Sequence, residues 1–243
     1  MGSSRFPGKV MADLEGTPVL EWVVRRCAAA LRVGAVVVAT TSLPEDDVIE
    51  QFCSTRGLPC YRGSVDDVLD RFCRAAERFE LDVVVRVTSD CPLVDPALID
   101  DLLEALHLQG ADYVTNSMPM RLPHGFEASA MTRAALERAA AEATRAADRE
   151  HVTLFMRDHP DRFALHALKY EVDAYDLRVT IDHPVDLEVV RFVARALGDR
   201  SPYGAVEEVI RILRAHPEVA ALNAMHPPGE GLARSLAADR ERS

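Results

Sequence analysis

The chain has 243 residues, 48% of them hydrophobic and 28% charged, enough to bury a sizeable core and most simply read as one soluble domain. Its net charge of −11 denies it the basic face that nucleic acid or an anionic membrane requires, so neither is an expected partner. No apolar run approaches the ~18 residues of a membrane span, no signal peptide leads the chain, and five cysteines without a CxxC pair fit a reduced, cytoplasmic protein.

The opening Met1-Gly2-Ser3-Ser4-Arg5-Phe6-Pro7-Gly8-Lys9 reads as a phosphate-holding loop. Small residues let backbone N–H groups approach an anion, and Arg5 and Lys9 add charge that neutralises a polyphosphate. It is not a Walker A loop, because five residues separate Gly2 from Gly8 and Val10 follows Lys9. The plain alternative is a disordered basic tail. Phosphate loops of α/β folds hang from the carboxyl end of a buried strand, which here would lie upstream of Met1. The expectation is therefore a start at an internal methionine, with a short apolar first strand encoded before it.

Apolar periodicity then predicts a helix over 19–31, a strand over 35–40, a helix over 46–56, a strand over 59–62 and a helix over 65–79. A strand over 83–88, a helix over 96–108, strands over 113–115 and 127–131, and helices over 133–144 and 150–158 follow. Strands over 163–168 and 177–181 and helices over 184–197 and 205–215 complete the series. This alternation predicts an α/β fold with helices packed on a sheet. Residues 1–225 are read as a single domain, and 226–243, opening on His226-Pro227-Pro228-Gly229, as an exposed tail.

Two strand exits share one pattern. Val83 to Thr88 leads to Asp90, and Val179-Thr180-Ile181 leads to Asp182. If both strands are parallel, the two carboxylates meet on one rim, where open α/β sheets bind ligands. The alternative is that Asp182 and Asp95 simply start the helices at Pro184 and Pro96.

These motifs resemble the CMP-sugar synthetase-like cytidylyltransferases, most closely their spore-coat polysaccharide biosynthesis branch. The loop Met1 to Val10, Ala39-Thr40-Thr41 and Arg62-Gly63-Ser64 carry the resemblance, as do Asp67-Val68-Leu69-Asp70-Arg71-Phe72 and Asp90-Cys91-Pro92-Leu93-Val94-Asp95-Pro96. Arg149-Glu150-His151-Val152-Thr153 and Thr180-Ile181-Asp182-His183-Pro184 continue it. The family pattern has an arginine-ending strand before the loop, a glycine at Ser89 and a second acid at Ser129 that this chain lacks.

The resemblance implies a Rossmann-like mixed, mostly parallel sheet, helices on both faces, and a small dimerisation lobe within about 117–175. It implies an enzyme that transfers CMP from CTP to a sugar or sugar acid with Mg2+ and acts as a homodimer. Arg5, Lys9, Asp90 and Asp182 are then the expected catalytic set, with Asp90 and Asp182 holding the metal. Gly2, Ser3, Ser4, Arg5, Gly8, Lys9, Asp70 and Arg71 are the expected nucleotide contacts. Gly125, Glu127, Arg149, Glu150 and His151 are the expected acceptor contacts, with His151 suited to acid/base work. For Asp70 and Arg71 the alternative is a solvated helix face, and for Arg149 to His151 a cap and a core histidine. Rival functions on these residues are a nucleotide-sugar glycosyltransferase and a non-catalytic homologue.

Overall fold

The computed structural model describes residues 1–198 and 206–242. In chain order come a short ribbon of β1 (Asp13–Leu14) and β2 (Thr17–Pro18), α1 (Val19–Ala29), β3 (Val38–Thr41), α2 (Asp47–Arg56), β4 (Cys60–Gly63), α3 (Val68–Arg78) and β5 (Val83–Arg86). Then follow α4 (Pro96–Gln109), β6 (Tyr113–Thr115), β7 (Ser129–Thr132), α5 (Arg133–Glu142), α6 (Ala146–His151), α7 (Leu154–Asp158) and β8 (Leu165–Ala167). The described order ends with α8 (Pro184–Leu197), α9 (Val206–Ala215), α10 (Pro217–Ala220) and α11 (Glu230–Arg242). Ala205, the expected first residue of α9, lies outside the described residues.

Capping chemistry sets several boundaries. Asp95 accepts the Ala97 N–H at 3.0 Å ahead of Pro96, which opens α4. Asp67 accepts from the Asp70 N–H at 2.9 Å to open α3, and Thr132 from Ala135 at 3.1 Å to open α5. The single helix expected over 150–158 is instead α6 and α7, because Val152 adopts a positive φ of 54° between them.

The fold class is α/β, as expected, and its sheet is mixed in an even rather than mostly parallel way. β3 pairs with β4 in parallel, and a four-stranded sheet runs β5-β7-β6-β8. β8 is parallel to β6, whereas β7 is antiparallel to both β5 and β6. Residues 116–128 return the chain from β6 to β7 without a crossover helix, the usual link between parallel neighbours, and β7 pairs antiparallel to β6.

Helix α1 ties the two sheets together. Its Leu20 and Val24 pack with Ile49, Phe52 and Cys53 beside Val36, Val38 and Cys60. Near its other end Cys27, followed by Ala30, meets Val94 and Ile99 beside Val85 and Val87. A larger apolar cluster joins α8 and α9 to Leu14, Phe126, Leu177, Val179 and Ile181, the last of these fully buried. That burial fixes the stretch leading to Asp182.

The strand expected over 177–181 is an extended segment with one parallel bridge, His124 to Arg178. The Val179 N–H donates to His124 O at 2.6 Å and the Ile181 N–H to Asp90 O at 2.8 Å, so its backbone partners change within two residues. No ladder can propagate across that change. Gly125 makes the contact possible: at φ 116°, a Cβ there would lie 2.7 Å from Thr180 N and 2.8 Å from Val179 C.

Gly125→Ala should therefore cost about 2–4 kcal/mol in urea unfolding, from a disfavoured φ and backbone overlap together. A change below about 0.5 kcal/mol would show that the segment shifts freely, contrary to this packing.

Candidate active site

The amino-terminal loop reaches both strand-exit aspartates through one side chain. Lys9 Nζ lies 2.7 Å from Asp90 Oδ2 and 2.9 Å from Asp182 Oδ1. Arg5 donates to Asp182 Oδ1 at 2.6 Å and to Glu230 Oε2 at 2.7 Å. Gly8 turns the loop at φ 75° immediately before Lys9. Arg5, Lys9, Asp90 and Asp182 thus converge, as expected.

Burial alone would lower the Lys9 ammonium, but the Coulombic pull and hydrogen bonds of Asp90 and Asp182 outweigh it and raise its pKa. Burial alone would likewise raise Asp182. Lys9, Arg178 and Arg5 reverse that and hold its carboxyl well below the usual carboxylate range. Both groups are fully charged at neutral pH.

Beneath them lies a buried hub that the sequence reading missed. Asp186 is fully buried and accepts from Arg178 Nε at 2.9 Å, Asn223 Nδ2 at 2.8 Å, and the Asp182 and His183 N–H groups at 2.8 Å each. Arg178 also donates to Asp182 Oδ2 at 2.8 Å, so one guanidinium fixes both carboxylates. The signal was present as Asp182 and Asp186 in one helix-start motif, four residues after Arg178. Their shared partner could not be read without the fold.

The remaining expected residues divide. Gly2 sits where a Cβ would come 2.8 Å from Glu45 Oε1, Ser3 Oγ accepts the Phe6 N–H at 3.3 Å, and Ser4 is exposed. Arg71 lies against Gly63 at the end of β4, donates to Ser64 O at 2.7 Å, and keeps a buried Nε that has no partner among the described residues. Asp70 instead pairs with Arg74 at 3.4 Å on an exposed helix face. Arg149 turns away from an acceptor role: its Nε contacts both Asp67 oxygens at 3.0 and 2.9 Å and its Nη1 donates to Ala140 O, fastening α6 to the start of α3.

Glu127 accepts from the Gly125 N–H at 2.7 Å and contacts His124 Nδ1 at 2.8 Å. Glu150 and His151 both meet Ser235 Oγ, at 2.7 and 2.9 Å. The expected tail is thus a docked helix. Asp239 accepts the Ala147 N–H at 2.9 Å, near the amino end of α6, where the helix dipole favours an anion. His226 stacks on His183 at 3.7 Å. Burial pushes the His151 imidazole below its usual pKa, Arg86 and Arg157 add to the effect, and Glu150 opposes it.

Among the described residues no three His, Cys, Asp or Glu side chains gather as a metal cluster. Two carboxylates sharing one cation are instead the donor set that suits a hard divalent ion, which keeps water and phosphate oxygens in its remaining positions. All five cysteines are free thiols, and among the described residues no helix is long and apolar enough to cross a membrane.

Residues 1–197 match the cytidylyltransferase family model. The spore coat polysaccharide biosynthesis protein SpsF of Bacillus subtilis is 32% identical over 227 residues, 90% of this chain and 93% of that one. A cytidylyltransferase structure from Leptospira borgpetersenii superposes with a TM-score of 0.85 at 26% identity, covering 90% of this chain and 92% of the other. A CMP:2-keto-3-deoxy-manno-octonic acid synthetase complexed with CTP shares the fold at TM-score 0.59 and 18% identity, over 78% of this chain and 92% of that one.

Asp186→Ala should destabilise the protein by about 3–5 kcal/mol in denaturant unfolding, because it removes one of the two carboxylates holding Arg178 and the acceptor of the Asn223 amide and two backbone N–H groups. Asp186→Asn, which keeps two of the acceptor contacts, should cost less. The depressed His151 makes stability fully present above the ordinary histidine value, near ~6.5, and lost as pH falls through its lowered folded value. His151→Gln should remove that part of the acid slope, and an unchanged slope would contradict the assignment.

Proposed function

The chain belongs to the cytidylyltransferase family, and we propose that it transfers CMP from CTP to a sugar or sugar-acid hydroxyl, releasing pyrophosphate, during polysaccharide or glycoconjugate synthesis. The observation that carries this reading is the convergence of Lys9 and Arg5 on Asp90 and Asp182, two anions and two cations at the mouth of one rim.

In this reading Arg5 and Lys9 hold the β- and γ-phosphates and offset the charge of the departing pyrophosphate. Asp90 and Asp182 would hold Mg2+, which when bound supplies positive charge beside the α-phosphate and aids ionisation of the acceptor hydroxyl. Arg178 and Asp186 fix the Asp182 carboxylate, so its position does not depend on the ligand. Arg71 supports the nucleotide side, since its buried Nε has no acceptor among the described residues. Glu127 and His151 face the acceptor. With its pKa depressed, His151 is neutral at physiological pH and able to accept a proton.

Much of the catalysis is positioning and charge neutralisation, which predicts steep losses on removing either acid. Asp90→Asn and Asp182→Asn should each lower kcat for pyrophosphate release by about a hundredfold or more. Lys9→Met should raise KM for CTP as well as lowering kcat. Thermal shifts with CTP, UTP, ATP and GTP, with and without Mg2+, should show the largest stabilisation for CTP with Mg2+. Equal responses to all four nucleotides, or none to CTP, would overturn the assignment.

A further inference from the structure

Ser235 of α11 stands between two groups of α6 that do not reach each other. Glu150 Oε2 and His151 Nε2 are 4.0 Å apart, beyond hydrogen-bond length, while Ser235 Oγ lies 2.7 Å from the first and 2.9 Å from the second. The same Oγ is 3.0 Å from Gly231 O, one turn back along its own helix. One hydroxyl links all three.

The direction of each bond follows from the hydrogens available. A serine hydroxyl carries one, a carboxylate and a peptide carbonyl carry none, and a neutral imidazole carries one on either of its two nitrogens. Two of the three neighbours of Ser235 Oγ can only accept, so its hydrogen goes to one of them, and the Glu150 carboxylate is the nearer. Toward His151 the oxygen then offers only lone pairs. The imidazole must supply the hydrogen there, from Nε2, which leaves the ring's own lone pair on Nδ1. The opposite tautomer would set two lone pairs against each other at 2.9 Å.

Helix α11 also ties this trio to the charged loop. Glu230, its first residue, pairs with Arg5 at 2.7 Å, and Arg5 pairs with Asp182 at 2.6 Å. Ser235 follows five residues later, ~7.5 Å along the helix axis. Asp239, one turn further and on the same face, accepts the Ala147 N–H at 2.9 Å, so the helix is held against α6 at two points. A single rigid element thus runs from the arginine beside Asp182 to His151.

We infer that Ser235 is a positioning residue of the active site: by linking Glu150 to His151 it fixes the tautomer in which Nδ1 takes up the proton of the acceptor hydroxyl. The inference rests on the proposed CMP transfer. In that step the acceptor oxygen bonds the α-phosphorus of CTP, the bond from that phosphorus to the pyrophosphate oxygen breaks, and pyrophosphate leaves with the electron pair. The hydroxyl proton passes to Nδ1 while Nε2 keeps its hydrogen on Ser235, so the new imidazolium faces the Glu150 carboxylate through one hydroxyl. Water then takes the proton and restores the neutral ring.

The tautomer can be read in the ligand-free protein by long-range nitrogen–proton NMR correlation at about pH 8, above the ordinary histidine pKa of ~6.5. The His151 signals are those missing from His151→Gln. Nδ1 should be the unprotonated, pyridine-type nitrogen and Nε2 the protonated one. Ser235→Ala should turn this single form into a mixture, and Ser235→Thr, which keeps the hydroxyl, should restore it. Turnover is followed as pyrophosphate release from CTP with a panel of sugar acids, sugar phosphates and neutral sugars. Ser235→Ala should lower kcat about ten- to a hundredfold with KM for CTP within about twofold, and Ser235→Thr should recover most of the loss. In a His151→Gln background Ser235→Ala should cost nothing more, since it acts only through that ring.

A protonated Nδ1 in the wild-type protein overturns the inference. So does a tautomer unchanged in Ser235→Ala, or a kcat loss that multiplies with that of His151→Gln. Failure of the parent reading looks different: no acceptor of the panel releases pyrophosphate from CTP with the wild-type protein. That result removes the role of Nδ1 as well, while the tautomer is still decided in the ligand-free protein.

Discussion

One ammonium group joins segments that lie 81 and 173 residues apart. Lys9 bridges Asp90 and Asp182, so one cation is the shared counter-ion of two carboxylates brought to the same rim. Like charges drawn together out of bulk water repel, and the shared cation offsets that repulsion where the two segments meet. The rest of the site follows. Arg5 extends the neutralised array to Glu230, and Arg178 ties it to the buried Asp186, which anchors the start of α8.

Much of this was legible in the sequence, because it depends on local grammar. The helix over Pro184–Leu197 matched its expected bounds, since Pro184 and Asp186 mark its start. Asp90 and Asp182 were found as acids after apolar runs, a signal that needs no partner to be seen. What failed depended on tertiary partners. The segment through Ile181 reads as a strand by its β-branched residues, yet its hydrogen bonds switch from His124 to Asp90. Arg149 reads as a ligand contact but serves Asp67, a residue 82 positions away. The C-terminal stretch reads as a tail because its helix has few apolar residues, and it docks through polar atoms that hydropathy does not register.

On the loop side every strong charge has an opposite within contact, so the protein is stable there before any ligand arrives. The buried Nε atoms of Arg86 and Arg157, by contrast, have no hydrogen-bond partner among the described residues. The first arrangement holds the charged groups of the loop in place. The antiparallel return of β7 sets Ser129 against Arg86 and carries Gly125 under the Thr180 backbone.

Helix α11 has a further consequence for how the protein is studied. None of residues 230–241 is buried, and no residue of the helix belongs to an apolar core cluster. Its undocking would therefore change heat capacity very little and leave the main cooperative melt almost untouched. A calorimetric or dye-based melting curve reports the packed interior and is nearly blind to this element, while amide exchange along it records each opening. Two preparations with identical melting temperatures can thus differ in whether Glu150 and His151 are covered.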